Sequence, residues 1–338
     1  MKTYNVAILG ATGAVGQEMM NILVERKFPI NTLKLLASKR SVGKKMSFDG
    51  KEIAIEEALP TSFENVDIVL GAVENDIAEK LLPYAVKAGA VVIDNSSAYR
   101  LDDNVPLVIP EVNPQDIKKH NGIIANPNCS TIIALVAIYK LHEYARLKSI
   151  IASTYQAVSG AGVPGLEELT QQTQQVLNDE EISPKVFPYQ IAFNLIPQIG
   201  GFDENGYSSE EMKMQNEGRK ILHHPDLNVT CTCVRVPVLR SHSESLTLFF
   251  EDEISIEKAK EILSDTEGVK LMDNPQNKKY PMPLDTSDQD LVYVGRVRKD
   301  LTQKDNKSLS LWCCGDQVRK GAATNAVQIA IEYIKQNA

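Results

Sequence analysis

The sequence lacks both a long apolar run and an excess of basic residues. None of its apolar stretches reaches the length needed to span a bilayer, so we expect no transmembrane helix. The 338 residues include 36 lysines and arginines against 44 aspartates and glutamates, a formal net charge of −8. An acidic chain argues against nucleic acid or an anionic membrane as the main partner, because both bind basic surfaces. Small anionic substrates stay possible, since a pocket can be locally basic.

Cysteine is also scarce, with five residues in the chain. The pairs Cys231-x-Cys233 and Cys313-Cys314 lack the spacing of a zinc site, so we predict no metal. The start of the chain, MKTYNVAILG, has no basic region followed by a long apolar stretch, and we expect no signal peptide. An odd number of cysteines without a leader favours reduced thiols and a cytoplasmic location.

The chain length favours two domains. Apolar runs such as residues 5–9 alternate with helical patterns such as Val15–Glu25, which is typical of βαβ units around a parallel sheet. After Lys148 strand-like runs predominate. We therefore predict an α/β protein with a Rossmann-type parallel-sheet domain, followed by an α+β domain with a mixed sheet.

The last helical pattern, Gln317–Lys335, could pack back onto the first domain. The predicted bounds are therefore 1–130 together with 315–338 for the first domain, and 131–314 for the second. The glycines and the proline of Gly160–Gly165 predict a loop.

A glycine-rich segment follows the first strand. It reads Gly10-Ala-Thr12-Gly13-Ala14-Val15-Gly16, and a helical pattern begins within it. Glycines allow the backbone to turn sharply and approach a pyrophosphate, whose charge the helix N-terminus stabilises. The spacing departs from G-x-G-x-x-G, so a tight turn without a ligand is the alternative.

The second predicted strand ends in Ser38-Lys39-Arg40-Ser41. An NAD enzyme usually has an acidic residue here, which binds the ribose 2′-hydroxyl. Hydroxyl groups and cations suit a 2′-phosphate instead, so the sequence favours NADP as the cofactor. A solvated basic turn is the alternative.

Cys129 precedes a strongly apolar helical pattern and follows Asn126-Pro127-Asn128. Proline and the neighbouring polar residues would end a strand and begin a helix at this point. A thiol at a helix N-terminus has a lowered pKa and is more often a thiolate, while the same N–H groups can stabilise an oxyanion. Cys129 is therefore a candidate nucleophile, and a buried structural cysteine is the alternative.

The motifs together resemble the aspartate-β-semialdehyde dehydrogenase family. The segments that carry the resemblance extend in order over essentially the whole chain, and they are GATGAVG at 10–16, ANPNCST at 125–131, STYQAVSGAG at 153–162, EEMKM at 210–214, CVRVPVLRSHSES at 233–245 and DQVRKGAATNAVQ at 316–328. The family reduces L-aspartyl 4-phosphate to L-aspartate 4-semialdehyde and phosphate with NADPH, in the biosynthesis of lysine, threonine and methionine.

The resemblance implies a role for each matching position. Cys129 would form a thioester, Gln156 would orient the acyl group and His242 would be the general acid/base. The implied substrate ligands are Arg235 for the carboxylate, Glu210 for the ammonium, and Arg100, Asn128 and Lys213 for the phosphate. The implied cofactor contacts are Gly10, Thr12, Gly13, Ala14, Val15, Gly16, Ser38, Arg40, Ser41, Ser159 and Gly160, with Gln317 on the final helix. The α+β domain would be catalytic and would form a homodimer or a homotetramer.

Several of these residues also have ordinary structural explanations. Arg235 alternates with Val234 and Val236, so it shares a strand face with the cysteines at 231 and 233. Arg240 is two positions before His242 and competes with Arg235 as the carboxylate ligand. Glu210 and Lys213 could be a surface ion pair on a helix.

Two other functions fit parts of the sequence. An N-acetyl-glutamyl-phosphate reductase would share the fold and the cysteine, but its acylated substrate amine would not need Glu210. A non-catalytic NADP-sensing protein would bind the cofactor, although the set of Cys129, Gln156 and His242 argues against it. Phosphorylating glyceraldehyde-3-phosphate dehydrogenase fits less well, because its substrate has a second phosphate.

Overall fold

A computed structural model describes residues 2–337 of the chain, and Met1 and Ala338 lie outside the described residues. The strands are β1 (Tyr4–Leu9), β2 (Ile30–Ala37), β3 (Lys45–Phe48), β4 (Lys51–Glu57), β5 (Ile68–Gly71), β6 (Val91–Asp94), β7 (Ile123–Ala125), β8 (Leu147–Gln156), β9 (Asn228–Arg235), β10 (His242–Phe250), β11 (Val269–Leu271), β12 (Val292–Lys299) and β13 (Ser308–Gly315). The helices are α1 (Ala14–Glu25), α2 (Asn75–Lys87), α3 (Cys129–Ala145), α4 (Gly162–Leu177), α5 (Ser209–Ile221), α6 (Ile256–Asp265), α7 (Pro283–Thr286) and α8 (Thr324–Gln336).

The chain forms two compact units, the first made of residues 2–128 with 322–337 and the second of residues 129–321. The first unit contains a seven-stranded sheet in the order β3-β4-β2-β1-β5-β6-β7. All its strand pairs are parallel except β3 with β4. Strands β1, β5 and β6 are almost entirely buried apolar runs, as expected for a parallel sheet covered on both faces. This confirms the Rossmann-type domain.

The second unit contains a six-stranded sheet in the order β11-β12-β13-β10-β8-β9. Three of its strand pairs are antiparallel, whereas β8 with β9 and β11 with β12 are parallel. Helices α3 and α5 pack on this sheet. Because strand residues alternate between faces, one face of β8, β9 and β10 is buried beneath these helices. The mixed sheet that the sequence predicts is confirmed.

Two local predictions differ from the structure. The loop predicted at Gly160–Gly165 ends earlier, because α4 begins at Gly162 with Pro164 in its first turn, where a missing N–H costs little. The predicted helix Gln317–Lys335 begins later, at Arg319, as a π-helical turn before α8. Asp316 accounts for this delay, since its carboxylate accepts the backbone N–H groups of Val318 and Arg319.

Residues 129–130 and 315–321 lie in the second unit, whereas the sequence predicted them in the first domain. Gly315 is the last residue of β13 and pairs with His242, which keeps this segment on the second sheet. In residues 2–337, no helix is both long and apolar enough to cross a bilayer.

Candidate active site

The glycine-rich turn of the first unit connects β1 to α1. Gly10 has a φ of +89°, and a Cβ there would lie 2.2 Å from the carbonyl oxygen of Ala72. A Cβ on Gly16 would lie 2.3 Å from the carbonyl oxygen of Gly10. Both positions therefore require glycine, and Gly13 is the residue before α1. Within the described chain, no side chain caps α1 and no acidic residue lies in its first turn, so its N–H groups suit an anion.

The basic turn follows β2 directly. Lys39–Ser41 form a short 3₁₀ helix, and Ser38 and Arg40 are exposed to solvent. Strand β2 lies beside β1, so this turn and the glycine-rich turn both follow the carboxyl ends of neighbouring parallel strands. Dinucleotides bind at this edge of a Rossmann sheet, and a cationic turn there fits a 2′-phosphate.

Two further predicted residues of the first unit adjoin loops at the same end of the sheet. Arg100 is buried, and its guanidinium donates hydrogen bonds to the carbonyl oxygens of Asn126 at 2.9 Å and Asn95 at 2.7 Å. Asn95 follows β6 and Asn126 follows β7, so the two strand ends fix the orientation of Arg100. Asn128, also buried, is the last residue of the first unit and immediately precedes Cys129.

Cys129 is the first residue of α3 and is partly exposed, unlike the other four cysteines, which are buried. Its surroundings leave little room, since a Cβ on Gly321 would lie 2.8 Å from the Cβ of Cys129. The position at a helix N-terminus agrees with the sequence prediction. This geometry favours the thiolate, whereas a buried structural thiol would not need access to solvent.

One row of side chains on the buried face of the second sheet contains His242, Gln156 and Arg235. Gln156 and Arg235 are paired residues of β8 and β9, and His242 is the first residue of β10. The Nε2 atoms of Gln156 and His242 are 3.4 Å apart. We call these three residues the first row. The alternation inferred from the sequence is confirmed, because Arg235 is buried on the same face as Cys231 and Cys233.

His242 is completely buried, and its Nδ1 accepts the backbone N–H of Ala157 at 3.1 Å. Burial, together with the nearby Arg235 guanidinium, lowers the pKa of His242 to about 3, although Glu210 opposes this shift. The imidazole is therefore neutral in the resting protein. Because a backbone N–H can only donate, Nδ1 is the acceptor and the ring proton lies on Nε2. His242 thus presents an N–H donor, and not a cation, to the site.

Gln156 connects the first row to α5. Its Oε1 accepts the hydroxyl of Thr154 at 3.1 Å, while its Nε2 donates to Glu210 Oε1 at 3.1 Å. The other carboxylate oxygen of Glu210 accepts Lys213 Nζ at 2.8 Å. Glu210 is buried and Lys213 is partly exposed, so this pair differs from the solvated surface pair considered as an alternative. It places one carboxylate and one cation beside the first row.

Arg235 and Arg240 have different environments. Arg235 donates from Nη1 to the carbonyl oxygen of Ala157 at 2.7 Å, and its guanidinium lies 5.9 Å from the centre of the Phe187 ring. A Cβ on Gly160 would lie 2.7 Å from Arg235 Nη1 and 3.5 Å from His242 Cε1. Arg240 instead forms ion pairs with Asp316 and Asp288. It also precedes β10 and is not part of the first row. The geometry therefore favours Arg235 as the arginine of the site.

Ser159 and Gln317 contact each other. Gln317 Nε2 donates to Ser159 Oγ, and Gln317 Oε1 accepts the backbone N–H of Ser241 at 2.9 Å. Ser159 and Gly160 lie in the 3₁₀ turn Val158–Ala161, directly after β8. The prediction that Gln317 lies on the final helix is wrong, because it lies in the turn after β13. The reason is the capping by Asp316 described above.

Two buried acidic residues that the sequence analysis missed hold this site in place. Glu211 accepts the backbone N–H groups of Ser208 at 2.6 Å and Cys233 at 2.9 Å, which attaches the start of α5 to β9. The S-x-x-E pattern of a capping box could have identified it. Glu168 on α4 accepts the backbone N–H groups of residues 185–187, including that of Phe187. Residues 185–187, held by Glu168, therefore position the Phe187 ring over Arg235.

A Rossmann-type unit, together with a mixed-sheet unit that presents a cysteine at a helix N-terminus, defines the semialdehyde dehydrogenase class of oxidoreductases. Residues 5–120 match the family model described as semialdehyde dehydrogenase, NAD binding domain. Residues 138–320 match the model described as semialdehyde dehydrogenase, dimerisation domain. The chain belongs to the aspartate-semialdehyde dehydrogenase family, as its relatives indicate.

Among these relatives, the aspartate-semialdehyde dehydrogenase of Bacillus subtilis is 50% identical over 98% of both chains. Aspartate semialdehyde dehydrogenase II from Vibrio cholerae, solved in complex with ASA, is 43% identical, with a TM-score of 0.97 over the whole of both chains. Aspartate semialdehyde dehydrogenase from Candida albicans, solved with NADP, is 26% identical, with a TM-score of 0.76 over 99% of both chains. The resemblance inferred from the motifs is confirmed.

Proposed function

We propose that this protein catalyses the NADPH-dependent reduction of L-aspartyl 4-phosphate to L-aspartate 4-semialdehyde and phosphate, and the reverse reaction. The observation that carries the proposal is the arrangement in the second unit. Cys129 begins α3 with partial exposure, and the first row with Glu210 supplies donors and charges of both signs. Burial lowers the pKa of the Arg235 guanidinium, and the nearby charges of Glu210 and Cys129 oppose that shift. The nucleophile and the first row therefore share one site.

The charges of the site complement those of the substrate. The substrate has a carboxylate, an ammonium group and a phosphate. Arg235 binds the carboxylate, because a planar guanidinium can donate to both carboxylate oxygens. Glu210 binds the ammonium, which an N-acylated substrate would lack. Lys213, Arg100 and Asn128 bind the phosphate.

Cys129 acts as the nucleophile. Its thiolate attacks the acyl carbonyl carbon, the C–O bond to phosphate breaks, and a thioester forms on Sγ. The N–H groups at the start of α3, the positive end of its dipole, stabilise the negative charge that develops on the carbonyl oxygen. Gln156 is held by Thr154 and Glu210, and it orients the acyl group.

His242 donates a hydrogen bond to the reacting oxygen from Nε2. Because Ala157 N–H occupies Nδ1, the neutral imidazole directs Nε2–H towards an oxygen that gains negative charge. Because its low pKa keeps the ring neutral, His242 stabilises this oxygen through a hydrogen bond from Nε2–H, and the proton stays on the ring.

The cofactor is NADP(H), and the residues of the first unit fit it. Gly10 and Gly16 permit the tight turn that leads into α1, where the helix N-terminus suits a pyrophosphate, and Gly13 directly precedes the helix. The Ser38–Ser41 turn suits a 2′-phosphate. Thr12, Ala14 and Val15 complete this binding turn, while Ser159, Gly160 and Gln317 border the nicotinamide. When bound, the nicotinamide supplies the hydride that reduces the thioester.

The proposal includes a homodimer formed through the second unit, with a homotetramer as the larger alternative. It also includes a cytoplasmic location, where the five cysteines, which form no disulfide within residues 2–337, stay reduced.

An assay in the reverse direction tests the function. The purified chain is mixed with L-aspartate semialdehyde, phosphate and NADP, and NADPH absorbance is followed for the wild type, Cys129→Ser and the control Cys231→Ala. We expect phosphate-dependent NADPH formation that is lost in Cys129→Ser and kept in Cys231→Ala. Turnover with N-acetyl-glutamate semialdehyde alone would contradict the substrate. Absence of turnover with both aldehydes, despite NADP binding, would favour an NADP sensor.

A further inference from the structure

A second row of side chains lies next to the first row on the same sheet face. Glu244 pairs with Cys313 on β13 and with Thr154 on β8, and Thr154 pairs with Cys233 on β9. We call these four residues the second row. Paired residues point to the same face, and residues two apart on one strand do as well, so Glu244 lies beside His242. All four side chains are at most 1% exposed.

The carboxyl group of Glu244 is buried without compensation. In the described part of the chain, neither of its oxygens has a hydrogen-bond partner. Within residues 2–337, neither oxygen therefore has a hydrogen bond that would balance a negative charge. An ionised carboxylate in such a place would cost far more than a neutral acid. Burial accordingly raises the pKa of Glu244 well above its ordinary value, and Cys233 and Glu210 raise it further.

Glu210 has the opposite surroundings. It accepts hydrogen bonds from Gln156 and from the ammonium of Lys213, and it lies near the Arg235 guanidinium. These donors stabilise its charged form. When two carboxyl groups interact in a dry interior, one proton is retained, and the group without donors keeps it.

The titratable groups around Glu244 come from each neighbouring element. They are His242 on its own strand, Cys313 and Cys314 on β13, Cys231 and Cys233 on β9, and Glu210 on α5. His242 is neutral, and burial raises the pKa of the Cys313 thiol. Cys233 and Glu210 both oppose ionisation of Glu244, and Glu210 is the carboxylate among them.

We propose that Glu244 is a positioning residue that stays protonated in its buried, unpartnered place, which leaves Glu210 as the single carboxylate of the site. Beside β9 and α5 the substrate then meets two cations, Arg235 and Lys213, and a single carboxylate. A second carboxylate would weaken the binding of an anionic substrate and would compete for its ammonium group. This inference rests on the proposed role of Glu210 in binding that ammonium.

Infrared difference spectroscopy of the full chain in heavy water tests the assignment directly. A protonated carboxyl group has a C=O stretch separate from that of a carboxylate. At neutral pD we expect this band in the wild type and its loss in Glu244→Gln. In Glu210→Gln the band should still be present at low pD. As the pD rises it should disappear earlier than in the wild type, because the negative charge of Glu210 no longer opposes ionisation of Glu244. A band that is unchanged in Glu244→Gln, or lost in Glu210→Gln at every pD, would overturn the proposal.

Kinetics supply a second readout. Glu244→Gln replaces a neutral acid by a neutral amide of the same shape, so kcat/KM should stay within about threefold of wild type, whereas Glu244→Ala should lose much more. Equal losses in both variants would refute a neutral role. If Glu244→Gln does not fold, Glu244→Met takes its place and should also lack the C=O band. The lower pD at which the band disappears in Glu210→Gln is an independent second test. An unchanged KM for the aldehyde in Glu210→Gln, with the bands as expected, would refute only the ammonium role of Glu210.

Discussion

Replacing Arg235 by lysine tests how the site recognises a carboxylate. The variant keeps a positive charge but loses the planar fork that donates from Nη1 to the Ala157 carbonyl at 2.7 Å. It also loses the guanidinium face over Phe187. A hydrogen bond between charged groups contributes about 1.5–3 kcal/mol, which corresponds to a fall of roughly 10- to 150-fold in kcat/KM for aspartate semialdehyde. We expect most of this loss in KM, because Arg235 orients the substrate and does not react with it.

Arg240→Lys is the matched control for this variant. Arg240 is ion-paired with Asp316 at 2.7 Å and with Asp288 at 2.6 Å, so its guanidinium is committed to structural contacts. We expect a lower Tm and an almost unchanged KM. Steady-state kinetics with the aldehyde, phosphate and NADP varied in turn would separate the effects. A raised KM in Arg240→Lys with wild-type kinetics in Arg235→Lys would refute Arg235 as the carboxylate ligand. It would show instead that Arg240 binds the substrate carboxylate.

Three further predictions concern the support of the site. Because the pKa of His242 falls from 6.5 to about 3 on folding, the unfolded chain binds an extra proton between these values. Wild-type stability should therefore be complete above pH 6.5 and decline by about 1.4 kcal/mol per pH unit below it, and urea unfolding of His242→Asn should show a flatter dependence. An equal slope in both proteins would contradict the neutral imidazole. Glu211→Gln weakens the hydrogen bonds that the carboxylate accepts from the backbone N–H groups of Ser208 and Cys233. It should lower the free energy of unfolding by roughly 1–3 kcal/mol in urea titrations. An unchanged free energy would show that Glu211 does not stabilise the attachment of α5 to β9. Gly160→Ala places a Cβ 2.7 Å from Arg235 Nη1, so the KM for the aldehyde should rise while NADP affinity changes less, and wild-type kinetics would show that the guanidinium can move freely.

The sequence was sufficient for features that depend on neighbours along the chain. The glycine-rich turn between β1 and α1, the start of α3 at Cys129 and the shared face of Arg235 with Cys233 all follow from local patterns. Strand alternation and helix capping act over a few residues, so a single sequence contains the information.

Other features depend on distant partners and could not be inferred in this way. Phe187 reaches Arg235 only because Glu168 fixes the backbone of the intervening segment. Glu244 looks like an ordinary polar residue of an alternating strand, and its burial follows from strand order and from the helices above it. Arg235 and Arg240 could be distinguished only when Asp288 and Asp316 were seen to pair with Arg240.

The central claim is that Cys129 forms a covalent thioester, and a single-turnover experiment without phosphate tests it most directly. Aspartate semialdehyde and NADP are mixed with the protein, NADPH is measured in the burst, and the acyl adduct is located by mass spectrometry of peptides. The account predicts a burst of about one NADPH per subunit, with the adduct on Cys129 and its release on addition of phosphate. No burst, or an adduct on Cys231, Cys233, Cys313 or Cys314 instead, would contradict it.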